Sequence, residues 1–222
     1  MQLVSTALTL KFAEALHPWL EMREIVRAGG SSPSAELQGA PLVLDVKDKK
    51  QRITVQFSGF TFVQEKARSI DESIDIIVGM VTRVSKATNP PPILQAQYEA
   101  TFIEPHAMPF HEVVIAMKEH YLKRGEVVDS ATDIALVFDQ HERDLLKQTH
   151  TGPMSAEQLR SEYLVFPSAD ISEQFIFARL RYEQNKQTAF DMNYLNDFLR
   201  SAVVWQTKQA QIALGLLKKM EG

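Results

Sequence analysis

The 222-residue chain contains no cysteine. It therefore has no disulfide framework, no thiolate nucleophile and no zinc site built on sulfur. Its longest purely apolar runs are four residues, as in 202–205, whereas a membrane-spanning helix needs about 20. Residues 1–11 lack the basic start and long apolar stretch of a secretory signal. We expect a cytoplasmic protein without disulfides that does not enter a membrane.

Positive charge is also scarce, since 24 Lys and Arg residues face 28 Asp and Glu residues, a net charge of −4. Residues 1–108 have a net charge of −1 and residues 109–222 a net charge of −3. Neither part resembles the basic surface of a nucleic-acid-binding protein. A small basic cluster at 47–52 is interpreted as a solvated hairpin turn. We therefore expect no nucleic-acid partner.

Motifs for phosphate binding and for serine catalysis are missing. The chain has nine glycines, and no GxGxxG, GK[ST] or GxSxG segment occurs. These absences predict that the protein uses no cofactor, and they favour a function other than catalysis.

Hydrophobic periodicity separates strands from helices. Residues 94–102 alternate as a half-buried strand does, and residues 69–86 have an apolar stripe behind a capping box at Ser69 and Glu72. The segment 29–40 has the composition of a mobile loop, and the pattern over 142–160 fits a strand, a loop or a helix.

The order of these segments predicts an α+β fold. We expect a largely antiparallel sheet in two similar halves packed by helices, with a long C-terminal helix. The predicted halves are about 1–104 and 105–222, within a single compact domain that spans 1–222.

One group of histidines and acids invites a metal-site hypothesis. Four such side chains fall within nine residues at a predicted strand-to-helix junction, and three of them could ligate Zn²⁺ or Fe²⁺. No HExxH spacing is present, and the alternative is an exposed first helical turn. The four residues are Glu104, His106, His111 and Glu112.

A second hypothesis concerns a late strand on which arginines alternate with aromatic residues. Arg179 and Arg181 share a strand face with Phe175 and Phe177, an arrangement that could hold an anionic ligand or stack single-stranded bases. The alternative, which we favour, is that the phenylalanines pack under a helix while the arginines emerge at the end of the sheet.

The last helix, about residues 191–220, has apolar residues on more than one face. A helix wetted on one side would not need them, so we expect part of it to pair with a second copy or with another protein. The candidate interface residues are Val203, Val204, Leu214 and Leu217.

Three segments are similar in pattern to a sporadically distributed family of bacterial proteins. They are residues 53–81, 98–110 and 174–206, which read ITVQFSGFTFVQEKARSIDESIDIIVGMV, YEATFIEPHAMPF, and QFIFARLRYEQNK followed by FLRSAVVWQ. The resemblance covers most of the chain. It implies a shared fold and a bacterial source, and it implies no chemistry.

Together these observations favour a non-enzymatic interaction protein, such as an accessory or adaptor subunit of a bacterial complex. It would self-associate or bind a protein partner through the C-terminal helix. Two alternatives stay open: a small-molecule or peptide binder that uses the sheet face at Arg179 and Arg181, and a divergent metal-assisted enzyme.

Overall fold

The structure, a computed structural model, describes residues 1–15, 35–38, 42–88, 90–122, 125–166 and 174–218. Within them, nine strands form one sheet in the order β2-β3-β4-β5-β1-β6-β9-β8-β7. All eight neighbouring pairs are antiparallel. The strands are β1 (Gln2–Phe12), β2 (Ala35–Gln38), β3 (Leu42–Val46), β4 (Gln51–Gln56), β5 (Gly59–Glu65), β6 (Ile93–Pro105), β7 (Leu136–Glu142), β8 (Leu145–Ser155) and β9 (Gln174–Gln184).

Five α-helices accompany the sheet in the described residues. They are α1 (Ile70–Thr88), α2 (Phe110–Tyr121), α3 (Glu126–Ser130), α4 (Ala156–Glu162) and α5 (Met192–Lys218). The predicted start of α1 is present, because the Ser69 hydroxyl accepts a hydrogen bond from the Glu72 N–H at 3.1 Å. The Glu72 carboxylate in turn accepts one from the Arg68 N–H at 2.6 Å. None of the described helices is long and apolar enough to cross a membrane.

One face of the sheet carries most of the core. Side chains that alternate along the central strands, such as Leu8, Phe62 and Tyr98, pack against α1 and the first half of α5. The same face continues under α2 and the second half of α5, where Phe102 and Leu180 are buried. We call this surface the helix face. The sequence prediction of an α+β fold with an antiparallel sheet and a long C-terminal helix is confirmed.

The other face of the sheet is covered at one end by α4 and the residues that follow it. A smaller cluster there contains Ile103, Met154, Leu159 and Phe177. Along the rest of β6, β9, β8 and β7 this face presents polar, half-exposed side chains. We call it the polar face.

The strand order is symmetric about the central β1–β6 pair. On one side lie β5, β4 and β3, and on the other lie β9, β8 and β7; each set is followed by a helix, α1 or α5, on the helix face. This symmetry divides the chain between α1 and β6. The sequence placed the division near residue 104, at the end of β6.

Two ambiguous regions acquire definite structures. Within 29–40, interpreted as a mobile loop, residues 35–38 form β2, and the remainder lies outside the described residues. Within 142–160, β8 pairs with both β7 and β9 and then leads into α4. Ser155 starts α4 with a capping box to Gln158.

Candidate functional site

The residues of the metal hypothesis are not assembled into a site. Glu104 pairs with the N-terminal amine of Met1, and the His106 Nδ1 atom accepts a hydrogen bond from the Met108 N–H at 3.0 Å. Across the described residues, which include all four candidates, no group of three histidine or acidic side chains could hold a metal ion.

His111 and Glu112 form only a local pair on the exposed start of α2. The His111 Nε2 atom lies 3.9 Å from a Glu112 carboxylate oxygen, and both side chains are more than half exposed. This is the exposed first turn that the sequence offered as the alternative to metal binding.

The two arginines of β9 do lie on the polar face, but one carboxylate engages both. Arg179 donates from Nε and Nη2 to the same Glu99 oxygen, at 3.0 and 2.6 Å. Arg181 donates from Nε to the other Glu99 oxygen at 2.8 Å, as does the Gln97 side-chain amide. Glu99 is only 13% exposed, so these bonds are partly shielded from water.

The phenylalanines predicted to accompany these arginines are buried and cannot stack a ligand. Phe175 and Phe177 are both 2% exposed and pack in the cluster beneath α4. Tyr163, just after α4, instead reaches the arginines, with the Arg179 guanidinium 5.4 Å from its ring centre. The phenylalanines thus pack under a helix, as in the alternative that the sequence favoured, but the arginines lie within β9 and bond Glu99 instead of emerging at the end of the sheet.

Strand register extends the polar face into a row that crosses four strands. Glu99 on β6 stands opposite Arg181 on β9, Arg181 stands opposite Gln148 on β8, and Gln148 stands opposite Asp139 on β7. The Gln148 amide donates to the Asp139 carboxylate at 2.9 Å. We call these four side chains the polar row; it ends at the edge of the sheet.

A parallel row beside it contains a histidine. His150 stands opposite both Arg179 and Val137, and its ring packs edge-on against Phe177 at 4.8 Å between centroids. Burial, assisted by the positive charge of Arg179, lowers the pKa of His150 below its usual value. This shift favours the neutral form of the imidazole.

Strand β7 is an exposed edge. Among the described residues only β8 pairs with it, and every residue from 137 to 142 is exposed. Val137 and Phe138 are 55% and 46% exposed, although the two side chains point to opposite faces of the sheet. An edge strand of this kind has unpaired N–H and C=O groups along its outer side.

The approach of the chain to β7 is set by a close backbone contact. A Cβ atom on Gly152 would lie 2.6 Å from the Ile134 carbonyl oxygen, so glycine is needed on β8 where residues 134–135 pass over it. Ile134 itself is buried under the helix face. The start of β7 is thus anchored, while its outer side is exposed.

In the first half of the molecule, the strand equivalent to β7 is covered by another strand. By the symmetry of the sheet β3 corresponds to β7, and β3 is covered along its outer side by the four-residue strand β2. The described residues contain no corresponding strand beside β7.

The helix interface predicted from sequence is largely built into the core. Leu214 is 5% exposed and packs with Ala210 and Ala213 against the sheet, so almost none of its side chain lies at the surface. Val203 is partly buried against the main core, Val204 is 74% exposed, and the side chain of Leu217 lies outside the described residues.

The buried side of α5 is not marked by its largest apolar residues. Ile212 is 47% exposed, whereas Ala202, Ala210 and Ala213 are fully buried. Gln206, also buried, donates to the backbone carbonyls of Tyr98 and Leu180 at 3.1 and 2.9 Å. The small alanines let the helix approach the sheet closely, and the polar Gln206 is satisfied by backbone carbonyls of the sheet. Neither residue type marks a core position in a sequence.

Comparison with known proteins adds no family to this picture. The chain matches no protein-family model, and none of the curated proteins matches it. The bacterial family resemblance stays a prediction.

Edge strand β7 is the surface that sequence reasoning missed. The alternation of Ile134, Leu136 and Phe138 is typical of a strand with one covered face. That pattern is the same in a central strand and in an edge strand, because it reports which face is covered and not what lies beside the strand.

Proposed function

We propose that this protein functions by binding a polypeptide partner, not by catalysis, and that strand β7 is its binding surface. The supporting observation is that β7 is a seven-residue edge strand on which Val137 and Phe138 are exposed. Such a strand offers a partner both backbone hydrogen bonds and apolar contacts. Extended segments bind such edges by adding a strand to the sheet.

The sequence of β7 has few of the features that prevent an edge strand from pairing with another chain. Natural edge strands block further pairing with charged side chains, above all lysine, or with proline or a bulge. The sequence of β7, LVFDQHE, contains neither lysine nor proline, and its register with β8 runs without a shift, so Asp139 and Glu142 are its only features of this kind.

In this proposal the protein is an accessory or adaptor subunit of a bacterial complex in the cytoplasm, as the sequence suggested, but the interface moves from α5 to β7. A second copy of the chain or a different protein would fill the same role at that edge.

Two valines provide a matched test. Val137 lies on β7 and Val204 on the outer side of α5, and both are exposed. Native mass spectrometry of gently purified protein is expected to find a bound polypeptide or second copy in the wild type. Val137→Lys should remove that added mass, because lysine on an edge strand disfavours pairing, and Val204→Lys should retain it. If Val204→Lys removes the added mass and Val137→Lys retains it, the interface lies on α5 and not on β7.

A second candidate function is binding of an anionic ligand on the polar face. The Arg181 side chain is about one-third exposed; Glu99 engages its Nε atom, and its Nη1 atom lies 3.9 Å from a Glu183 carboxylate oxygen. Ligand addition should raise the melting temperature of the wild type but not of Arg181→Ala. Equal stabilisation of both proteins would eliminate this candidate.

A further inference from the structure

We infer that the segment bound by β7 is an extended polypeptide with a lysine or arginine facing Asp139. This inference rests on the proposed function, and it identifies the partner by its charge. It follows from a comparison of the two symmetric edges of the sheet.

The register makes Asp139 on β7 the equivalent of Asp45 on β3. Each aspartate is the outer end of a row of register partners that runs inward over the next two strands. The rows are Asp45–Arg52–Val63 and Asp139–Gln148–Arg181. The central pair Ala7 and Glu99 joins the two rows into one.

The two equivalent aspartates differ in what neutralises them. Asp45 receives two hydrogen bonds from the Arg52 guanidinium, both at 2.6 Å. Asp139 receives its bond from Gln148, a neutral amide. Gln148 thus occupies the position on β8 that Arg52 occupies on β4. The charge of Asp139 can therefore pair with a cationic side chain of a bound segment.

The strand already bound in the first half shows what this difference means. Strand β2 pairs with β3 at Asp45, whose charge Arg52 balances from within the sheet. At β7 an added strand must bring the balancing charge itself. A basic residue opposite Asp139 supplies it, whereas an acidic one there is repelled.

Strand β7 itself carries two acidic side chains, Asp139 and Glu142, and no lysine or arginine. Glu142 pairs with Lys147, whereas Asp139 accepts its hydrogen bond from the neutral Gln148 amide. Two β7 edges paired antiparallel about their centres would bring the Asp139 carboxylates of two copies close together, so charge favours a basic partner over a second copy.

The test uses two labelled heptapeptides as probes, one alternating lysine with valine and one alternating glutamate with valine. Fluorescence anisotropy with the full-length protein is expected to give binding of the lysine peptide at least about threefold tighter, because an attractive charge pair at Asp139 replaces a repulsive one. Hydrogen exchange of the β7 amides should slow when the lysine peptide binds, because strand addition occupies the outer N–H groups. Rising salt should weaken the interaction.

Variants at Asp139 separate this contact from general electrostatic attraction. Asp139→Lys should abolish the preference for the lysine peptide, and Asp139→Asn, which keeps an oxygen for Gln148, should reduce it without loss of the fold. Asp197→Lys, the same charge change on the exposed side of α5, should leave the preference intact. Equal loss with Asp197→Lys would overturn the assignment to Asp139.

The outcomes distinguish the charge of the partner from the use of the edge. If both peptides slow exchange in β7 equally, or if a second copy protects it, the basic partner is wrong while the binding edge stands. If neither peptide nor a second copy protects the β7 amides, the edge is not a binding surface and both proposals fail.

Discussion

At the residue scale, the buried carboxylate of Glu65 joins distant parts of the chain. It is 2% exposed and accepts hydrogen bonds from the Val165 N–H at 2.5 Å and from the Phe166 N–H. Burial raises the pKa of Glu65, while these two hydrogen bonds and the nearby Lys50 and Arg52 act in the opposite direction. The side chain holds the segment after α4 against the first half of the sheet.

Replacing Glu65 tests this tether. Glu65→Ala leaves two backbone N–H groups without their acceptor and should lower the free energy of unfolding by about 2–3 kcal/mol. Glu65→Gln retains one acceptor oxygen and should cost less. Urea unfolding at pH 7 measures both, and an unchanged midpoint for Glu65→Ala would contradict the role of the carboxylate.

His150 should make stability depend on pH. Its pKa is lowered by burial and by Arg179, so the folded protein binds this proton less readily than the unfolded chain. This contribution to stability is fully present above the ordinary histidine pKa of 6.5 and is lost as pH falls through the lower folded value. The slope for one histidine is at most about 1.4 kcal/mol per pH unit.

The measurement compares unfolding free energies at several pH values below 7.5 for the wild type and His150→Asn. The variant is expected to lose packing against Phe177 at every pH and to show a shallower decline in acid. Parallel pH profiles for the two proteins would exclude His150 as the source.

At the element scale, α5 rests on the sheet along its length instead of projecting from it. Leu195 and Phe198 pack in the main core, and Ala213 and Leu214 pack in the second cluster about four turns later. The exposed Val204 lies on the opposite side. The helix therefore contributes mainly to stability.

A pair of glutamate substitutions distinguishes the two sides of α5. Leu214→Glu places a charge in the core and should destabilise the protein by about 3 kcal/mol or more. Val204→Glu should change stability by no more than about 0.5 kcal/mol. Thermal unfolding followed by circular dichroism measures both, and a well-folded Leu214→Glu protein with altered mass would restore the helix as an interface.

At the scale of the whole molecule, two symmetric halves share one sheet through the β1–β6 pair. Their register runs from Gln2 opposite Ile103 to Phe12 opposite Ile93, with two irregularities. Helix α5 of the second half also joins the core built on the strands of the first half. The main core therefore draws on both halves, whereas the buried members of the second cluster all come from the second half.

Division of the chain at the boundary between the halves tests their mutual dependence. Co-expressed fragments 1–91 and 92–222 are expected to purify together at the mass of the intact protein, because the central strands need each other. Either fragment expressed alone should aggregate or self-associate through its exposed central strand. Two fragments that fold separately as monomers would contradict this dependence.

The amino-acid sequence by itself determined the local elements. The Ser69 and Glu72 cap with its apolar stripe predicted α1, and the alternation over 94–102 predicted β6, because helix and strand periodicities depend on neighbouring residues alone. Only the tertiary structure decided what covers each element. Glu65 finds its donors 100 residues away, and Leu214 is buried while Ile212 is not. Edge strand β7 follows from strand order, which the chain sets over long separations that no local pattern records.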